Sequence, residues 1–238
     1  MKCCFLKMCL AVNQAFVILY IFYAKLADGI AQSPKKSYIK SNDNPTMENK
    51  LLKYFSEIMP ISKEEADAIA ATMLIKHYKK GTILLKEGQI SSEAYFVLEG
   101  CVRQYYLVDG EEKTGNFFTE EQWVISLNSF GNSLPSNHYM ACATDCFLVV
   151  GNREKEEDLY QRFPKLETVS RKVMEKVFAE QQELMASYTT DTPEQRYLKL
   201  LNSRPNLFQI IPQYQIASYI GVKPESLSRI KKRILEKS

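Results

Sequence analysis

Two histidines, His77 and His138, are all the imidazole that 238 residues contain. That leaves little acid–base capacity near neutral pH. The chain shows no Ser/His/Asp constellation, no carboxylate pair in a cleft-like pattern and no phosphate loop, so it is not expected to be an enzyme. None of the six cysteines forms a CxxC pair, and no zinc ligand set is readable. Cys101, Cys142 and Cys146 read as reduced, partly buried thiols that pack as small hydrophobes. Cys142 and Cys146 share a face if their segment is a strand. Arginine is also missing from a long central stretch. Between Arg103 and Arg153 there is none, and the one lysine is Lys113, on what reads as a hairpin arm. Burying an unpaired phosphate costs several kcal/mol, on the order of the penalty for any buried charge without a charge-assisted partner. The middle of the chain is therefore not expected to hold one.

Composition is ordinary for a globular protein, at 45% hydrophobic and 25% charged residues. The charge is unevenly placed. Residues 1–46 carry +4, residues 47–188 carry −6 and residues 189–238 carry +5, for a net of +3. A basic tail on an acidic body is the asymmetry expected when one part meets a polyanion. The N-terminal segment holds a 17-residue, nearly uncharged run from Met8 to Ala24, preceded by Lys2 and Lys7. It admits three readings: a chain that properly starts at Met47, a membrane anchor, or a secretory signal with small residues before a cleavage after Ala31. Cytoplasmic placement is expected, with membrane anchoring if residues 8–24 are translated.

From Met47 to Met59, Leu51, Leu52, Phe55 and Met59 recur at helical spacing. Ser62 and Glu65 form a capping box for a helix beginning "KEEADAIAATM". Then the texture changes to short β-rich pieces punctuated by glycine: "TILLKEG", "AYFVLEG", "CVRQYYLVDG" and "KTGNFFTE". Asp109-Gly110 signals a hairpin, and "YMACATDCFLVVG", residues 139–151, reads as one long strand. Short strands at regular spacing imply a sandwich or roll, whose interior is either a pocket or a filled core.

"KKGTILLKEGQISSEAYFVLEG", residues 79–100, with Gly81, Gly88 and Gly100 at the turns, resembles the opening of the cyclic nucleotide-binding domain of the Crp/Fnr regulators. The resemblance extends over about residues 50–238. In members that bind cyclic AMP, a Gly-Glu and an Arg-Ser or Arg-Thr pair hold the ribose and the cyclic phosphate. The matching positions here are Ile125-Ser126 and Ser136-Asn137, so cyclic AMP is not expected as effector and no cofactor is assigned. The loop "NSFGNSLPSNHY", residues 128–139, replaces the cassette, with Asn128, Asn132, Ser136 and Asn137 as candidate ligand-binding residues for an unknown small-molecule effector. Cys3, Cys4 and Cys9 lack the spacing of the family's iron–sulfur branch. Haem ligation through His77 or His138 stays open, beside the plainer reading of each as an ordinary residue.

No Gly or Pro interrupts residues 165–190, and Val169, Val173, Val177, Leu184 and Tyr188 form one stripe, widened by Met174, Phe178 and Met185. Such a stripe packs either on a partner or on its own roll. The resemblance implies the former, a homodimer along this helix. Beyond it, Thr192, Pro193 and Gln195 open a helix that Pro205 ends, and "LFQIIP" reads as a strand-like wing. Then Ile216, Ala217 and Ile220 form one short inner face, Gly221 permits a turn, and Pro224 opens a second helix with Leu227, Ile230 and Ile234 inward.

This is a helix-turn-helix pattern. Its outer face carries Lys223, Glu225, Ser226, Arg229, Lys232 and Arg233. Arg229 suits guanine and Glu225 suits cytosine. Ser226 suits a base or a phosphate, and the lysines and Arg233 suit phosphates. Amides near Gln213 to Gln215 are further phosphate donors. Pro224-Glu225-Ser226 followed by Arg229 resembles the family's Arg-Glu-Thr and Arg, with proline replacing the first arginine.

The expected architecture is α+β. A hydrophobic extension and linker (1–46) precedes a cyclic nucleotide-binding-like β-roll or jelly-roll sensor domain (47–164). A long dimerisation helix (165–190) and a C-terminal winged helix-turn-helix (191–238) follow. The expected function is sequence-specific binding of double-stranded DNA in transcription regulation, with RNA polymerase as a further partner. The rival is an effector sensor that acts on a protein partner or from the membrane.

Overall fold

In a computed structural model, the structure describes residues 45–237, so the hydrophobic run at 8–24 and its three readings lie outside the described residues. Two helices open the fold, α1 (Pro45–Ile58) and α2 (Lys63–Thr72). The Ser62 hydroxyl accepts from the Glu65 amide at 3.2 Å and the Glu65 carboxylate accepts from the Ser62 amide at 2.7 Å, closing the expected capping box. That box, with Lys165 reinforcing it, holds the Glu65 carboxyl below its ordinary range.

Eight strands follow: β1 (Ile75–Tyr78), β2 (Ile83–Leu85), β3 (Glu93–Glu99), β4 (Val102–Val108), β5 (Glu111–Phe118), β6 (Trp123–Val124), β7 (Tyr139–Cys142) and β8 (Cys146–Asn152), with helix α3 (Leu127–Asn132) between β6 and β7. They form two antiparallel sheets, ordered β1-β8-β3-β6 and β2-β7-β4-β5. The segment 139–151 is therefore not one strand. It breaks at Ala143–Asp145, and its halves serve different sheets. Cys142 and Cys146 still face the same core between the sheets, with Tyr95, Val97, Val102, Phe118, Met140 and Leu148.

The outward faces are covered too. Phe96, Leu98 and Val149 meet α1, α2, α4 (Arg153–Arg162) and the long α5 (Pro164–Thr190). This explains why β3 reads as a continuous apolar run, since it is buried on both sides. Val169, Val173 and Val177 of α5 lie in this same cluster, so these three valines pack on their own roll. The side of α5 left exposed carries Phe178 and Met185, at 43% and 71%.

Gly100 joins β3 to β4 with φ +97°, and a Cβ there would stand 2.2 Å from the Asp145 carbonyl oxygen. Gly100→Ala is expected to destabilise the roll by about 1–3 kcal/mol of backbone strain and clash, measured as a lowered urea midpoint. Gly81→Ala shares the positive φ but meets nothing within 4 Å, so it should cost less.

The C-terminal unit is α6 (Pro193–Ser203), α7 (Leu207–Ile210), α8 (Gln213–Tyr219) and α9 (Pro224–Lys237). The expected wing strand at "LFQIIP" is instead the helical turn α7, with the Ile211 amide bonded back to the Leu207 carbonyl at 2.9 Å. Leu207 and Ile211 are pulled into the core from one side of a helix, which overrides the β preference of this short apolar run. That core includes two residues of the roll. Cys101 and Phe117 sit among Leu207, Ile216, Ala217, Ile220 and Leu227, all of them at 0–1% exposure. The helix-turn-helix thus leans on the outer face of the second sheet.

Candidate nucleic-acid interface

The turn between α8 and α9 satisfies the carbonyls at the end of α8. The Val222 amide bonds Ala217 O at 2.9 Å and the Gly221 amide bonds Ser218 O at 3.1 Å. With Gly221 at φ +75°, this is a Schellman motif, and a residue with a Cβ would strain it. Pro224 then starts α9, whose inner face buries Leu227 and Ile230 and partly buries Ile234, as the spacing predicts.

The opposite face is turned to solvent. Lys223, Glu225, Arg229, Lys232 and Arg233 are exposed and Ser226 is half-buried. Arg229 forms no ion pair or hydrogen bond among the described residues, so its five donors are open to a ligand. Lys232 pairs with Glu236 at 3.9 Å, both well exposed, an interaction of small value that a phosphate can displace. Arg233 is held by Glu194 of α6 at 3.0 Å, which fixes it toward the first turn of α6.

At the start of α8, fewer donors are open than the spacing implies. The Gln215 amide already bonds Pro212 O at 3.0 Å and its side chain donates to the Tyr214 hydroxyl at 3.2 Å, while Lys231 takes the Gln213 side-chain oxygen. Gln215 is therefore not a free amide donor, leaving the amides of Gln213 and Tyr214. The exposed Tyr214 phenol at this edge is marked by neither charge nor spacing, because an aromatic beside a helix start carries no distinctive sequence signal. The acidic tip of the β4–β5 hairpin lies on the same side. The Glu111 carboxyl is held below its usual range chiefly by Lys113, with a smaller share from Lys223.

The candidate ligand loop is less convergent. Asn128 and Asn132 are exposed and bond to each other at 3.0 Å. Ser136 is buried, but its hydroxyl is used by the His138 backbone, accepting from the amide at 3.2 Å and donating to the carbonyl at 2.9 Å. Asn137 is exposed, and its side-chain oxygen contacts His138 Nδ1 at 3.0 Å. His138 itself is buried against Tyr106, a placement that no neighbour in the sequence signals; burial lowers its pKa to about 4.

A folded-state pKa below the unfolded value of about 6.5 means that the neutral ring contributes stability above that pH. That stability drains away as pH falls from about 6.5 towards 4. The urea midpoint should drop between pH 7 and pH 5, and His138→Gln should flatten that segment of the profile. An unchanged profile in the variant would contradict the assignment. His77, by contrast, lies on Phe147 with its side chain 41% exposed, 3.9 Å from Asp145.

Residues 75–163 match the family model of the cyclic nucleotide-binding domain. No curated protein matches the chain by sequence. Among solved structures, the chain is similar to the c-di-GMP responsive global regulator CLP of Xanthomonas campestris (17% identity, TM-score 0.56, 74% of this chain and 93% of that one). It is similar to FixK2 of Bradyrhizobium japonicum (18%, 0.56, 70% and 86%). It is also similar to a candidate transcriptional regulator of the Crp/Fnr family from Eubacterium rectale (15%, 0.57, 78% and 88%). At these identities the likeness is one of fold, a nucleotide-binding-type roll followed by a long helix and a helical C-terminal unit. Among the described residues, no helix is long and apolar enough to cross a membrane.

Proposed function

We propose that this chain is a sequence-specific DNA-binding transcriptional regulator of Crp/Fnr type, acting as a homodimer. The observation that carries the reading is α9. One side supplies the core with Leu227 and Ile230, and the other presents Arg229, Glu225 and three further cations to solvent behind a Schellman turn. A second helix so oriented, with its N-terminal turns free, is the part that such motifs place in the major groove. Arg229 reads guanine and Glu225 reads cytosine. Lys223, Lys232 and Arg233 bind phosphates, as do the amides at the start of α8.

The uncovered side of α5, with Phe178 and Met185 seven residues apart, supports pairing with a second copy. Two reading helices would then meet half-sites roughly 34–36 Å apart. Cyclic AMP is not expected as an effector: the positions that the resemblance matches to its ribose and phosphate contacts are those of the half-buried Ile125 and of Ser126, Ser136 and Asn137, with no cation among them. Millimolar cyclic AMP should leave the thermal midpoint of the protein unchanged, whereas a rise would show that the roll accepts it by another route.

Selection of bound sequences from random duplexes tests the main reading. The expected result is one near-palindromic motif, with affinity that falls steeply as salt rises. Recovery of no motif, together with weak salt dependence, would favour action on a protein partner.

A further inference from the structure

Two carbonyls at the end of α8 are satisfied by side chains from elsewhere in the fold. Val222 and Gly221 take the carbonyls of Ala217 and Ser218 within the turn itself. The next two, of Tyr219 and Ile220, accept from the Tyr188 hydroxyl and from Arg196 Nε, the latter at 2.9 Å. Tyr188 lies in the last turn of α5, and Arg196 in the first turn of α6. Arg196 also binds the end of α5: its Nη1 donates to Asp191 O at 2.6 Å and to Ser187 O at 3.4 Å, and its guanidinium lies 5.3 Å from the Tyr188 ring centroid. One cation therefore bridges two helix C-termini, each carrying negative partial charge. A Cβ on Gly221 would lie 3.4 Å from Arg196 Nη2, so the turn itself abuts the guanidinium.

We propose that Tyr188 and Arg196 are positioning residues: a clamp that sets the angle between the long helix α5 and the reading helix α9, and so the half-site spacing that the dimer accepts. The proposal rests on the DNA-binding reading above. The chain from clamp to α9 is stiff, because the Schellman turn locks α8 to α9 and both share one core. On its far side α8 rests on β5, where the Ser218 hydroxyl accepts from the Thr114 amide at 2.9 Å. Without the clamp, α8 keeps that support and pivots about it. A helix of fourteen residues is about 21 Å long, so a tilt of ~10° moves its end by ~3.5 Å, about one base-pair step.

The test compares wild type, Tyr188→Phe and Arg196→Gln, in two measurements. Spin labels on the exposed positions Glu183 and Ser228, with unlabelled protein in excess, report the distance between α5 and α9 without DNA. A single narrow distribution is expected in wild type and a clearly broader one in both variants. Unchanged widths would overturn the clamp. Tyr188→Phe keeps the ring and its stacking, so it guards against a variant that merely fails to fold.

The second measurement uses duplexes carrying one half-site, or two at the selected spacing and at one base pair more or less. The variants should bind the single half-site within about twofold of wild type, yet lose about tenfold of the preference for the selected spacing. A merely structural role would lower half-site binding and leave the spacing preference intact, and that outcome also overturns the proposal. If wild type selects no DNA sequence, the DNA reading fails, while the label distances still judge the clamp.

Discussion

Arg229→Ala should erase the guanine preference at one position of each half-site and cost about 1–3 kcal/mol per half-site, or roughly 5- to 150-fold, the value of one bidentate contact. For a dimer that engages both half-sites the loss applies twice. The side chain is exposed and forms no ion pair or hydrogen bond among the described residues, so the urea midpoint should not move. The informative contrast is Lys232→Ala. That residue pairs with Glu236 across 3.9 Å of solvent-exposed helix surface, and as a phosphate contact its loss should weaken all sequences alike and reduce the salt slope by about one per half-site. Affinity measured on the selected site and on single-base variants separates the two behaviours. If Arg229→Ala selects the same motif as wild type, α9 does not read bases through this residue.

Phe117→Ala should produce the largest loss of stability, about 3–5 kcal/mol for a fully buried phenylalanine. Phe117 has 0% exposure although it lies on the outer face of its sheet. Its ring meets Tyr219 with centroids 5.3 Å apart, and its carbonyl accepts from Arg204 Nη1 at 2.6 Å. What buries it is the C-terminal unit, so the loss falls on the contact between the roll and the C-terminal helices. Amide exchange in α8 should accelerate together with the drop in midpoint. Exchange confined to the β-roll would mean that the two units are energetically separate, contrary to their shared core. This contact also joins the roll directly to the turn before α9, through Ser218 and Tyr219, besides the connection along α5.

Much of the candidate site is legible in the order of residues. The Ser62 and Thr192 caps, the glycine turn at Gly221 and the inner face of Leu227, Ile230 and Ile234 are local features. Each depends on residues within about one or two helical turns, and each forms as its spacing implies. Spacing misleads where a choice depends on distant partners. The run 139–151 alternates like a strand throughout, but nothing local says that its halves belong to different sheets. "LFQIIP" has β-rich composition, and packing against Phe117 and Tyr197 makes it helical. The valines of α5 fit a partner or the roll equally well by period, and the roll takes them.

By itself, then, the order of residues determined the helices and strands other than "LFQIIP" and the break at 143–145, the Ser62 and Thr192 caps, the glycine turns, and which face of α9 carries cations. Those properties follow from backbone preferences and from periodicity over a few residues. Tertiary structure alone decided that Phe117 would join the helical core, that Arg196 and Tyr188 would take the last carbonyls of α8, and that Phe178 and Met185 would be left uncovered. Buried carbonyls and apolar side chains must find partners somewhere, and across separations of 24 to 104 residues only the packed fold specifies which ones they meet.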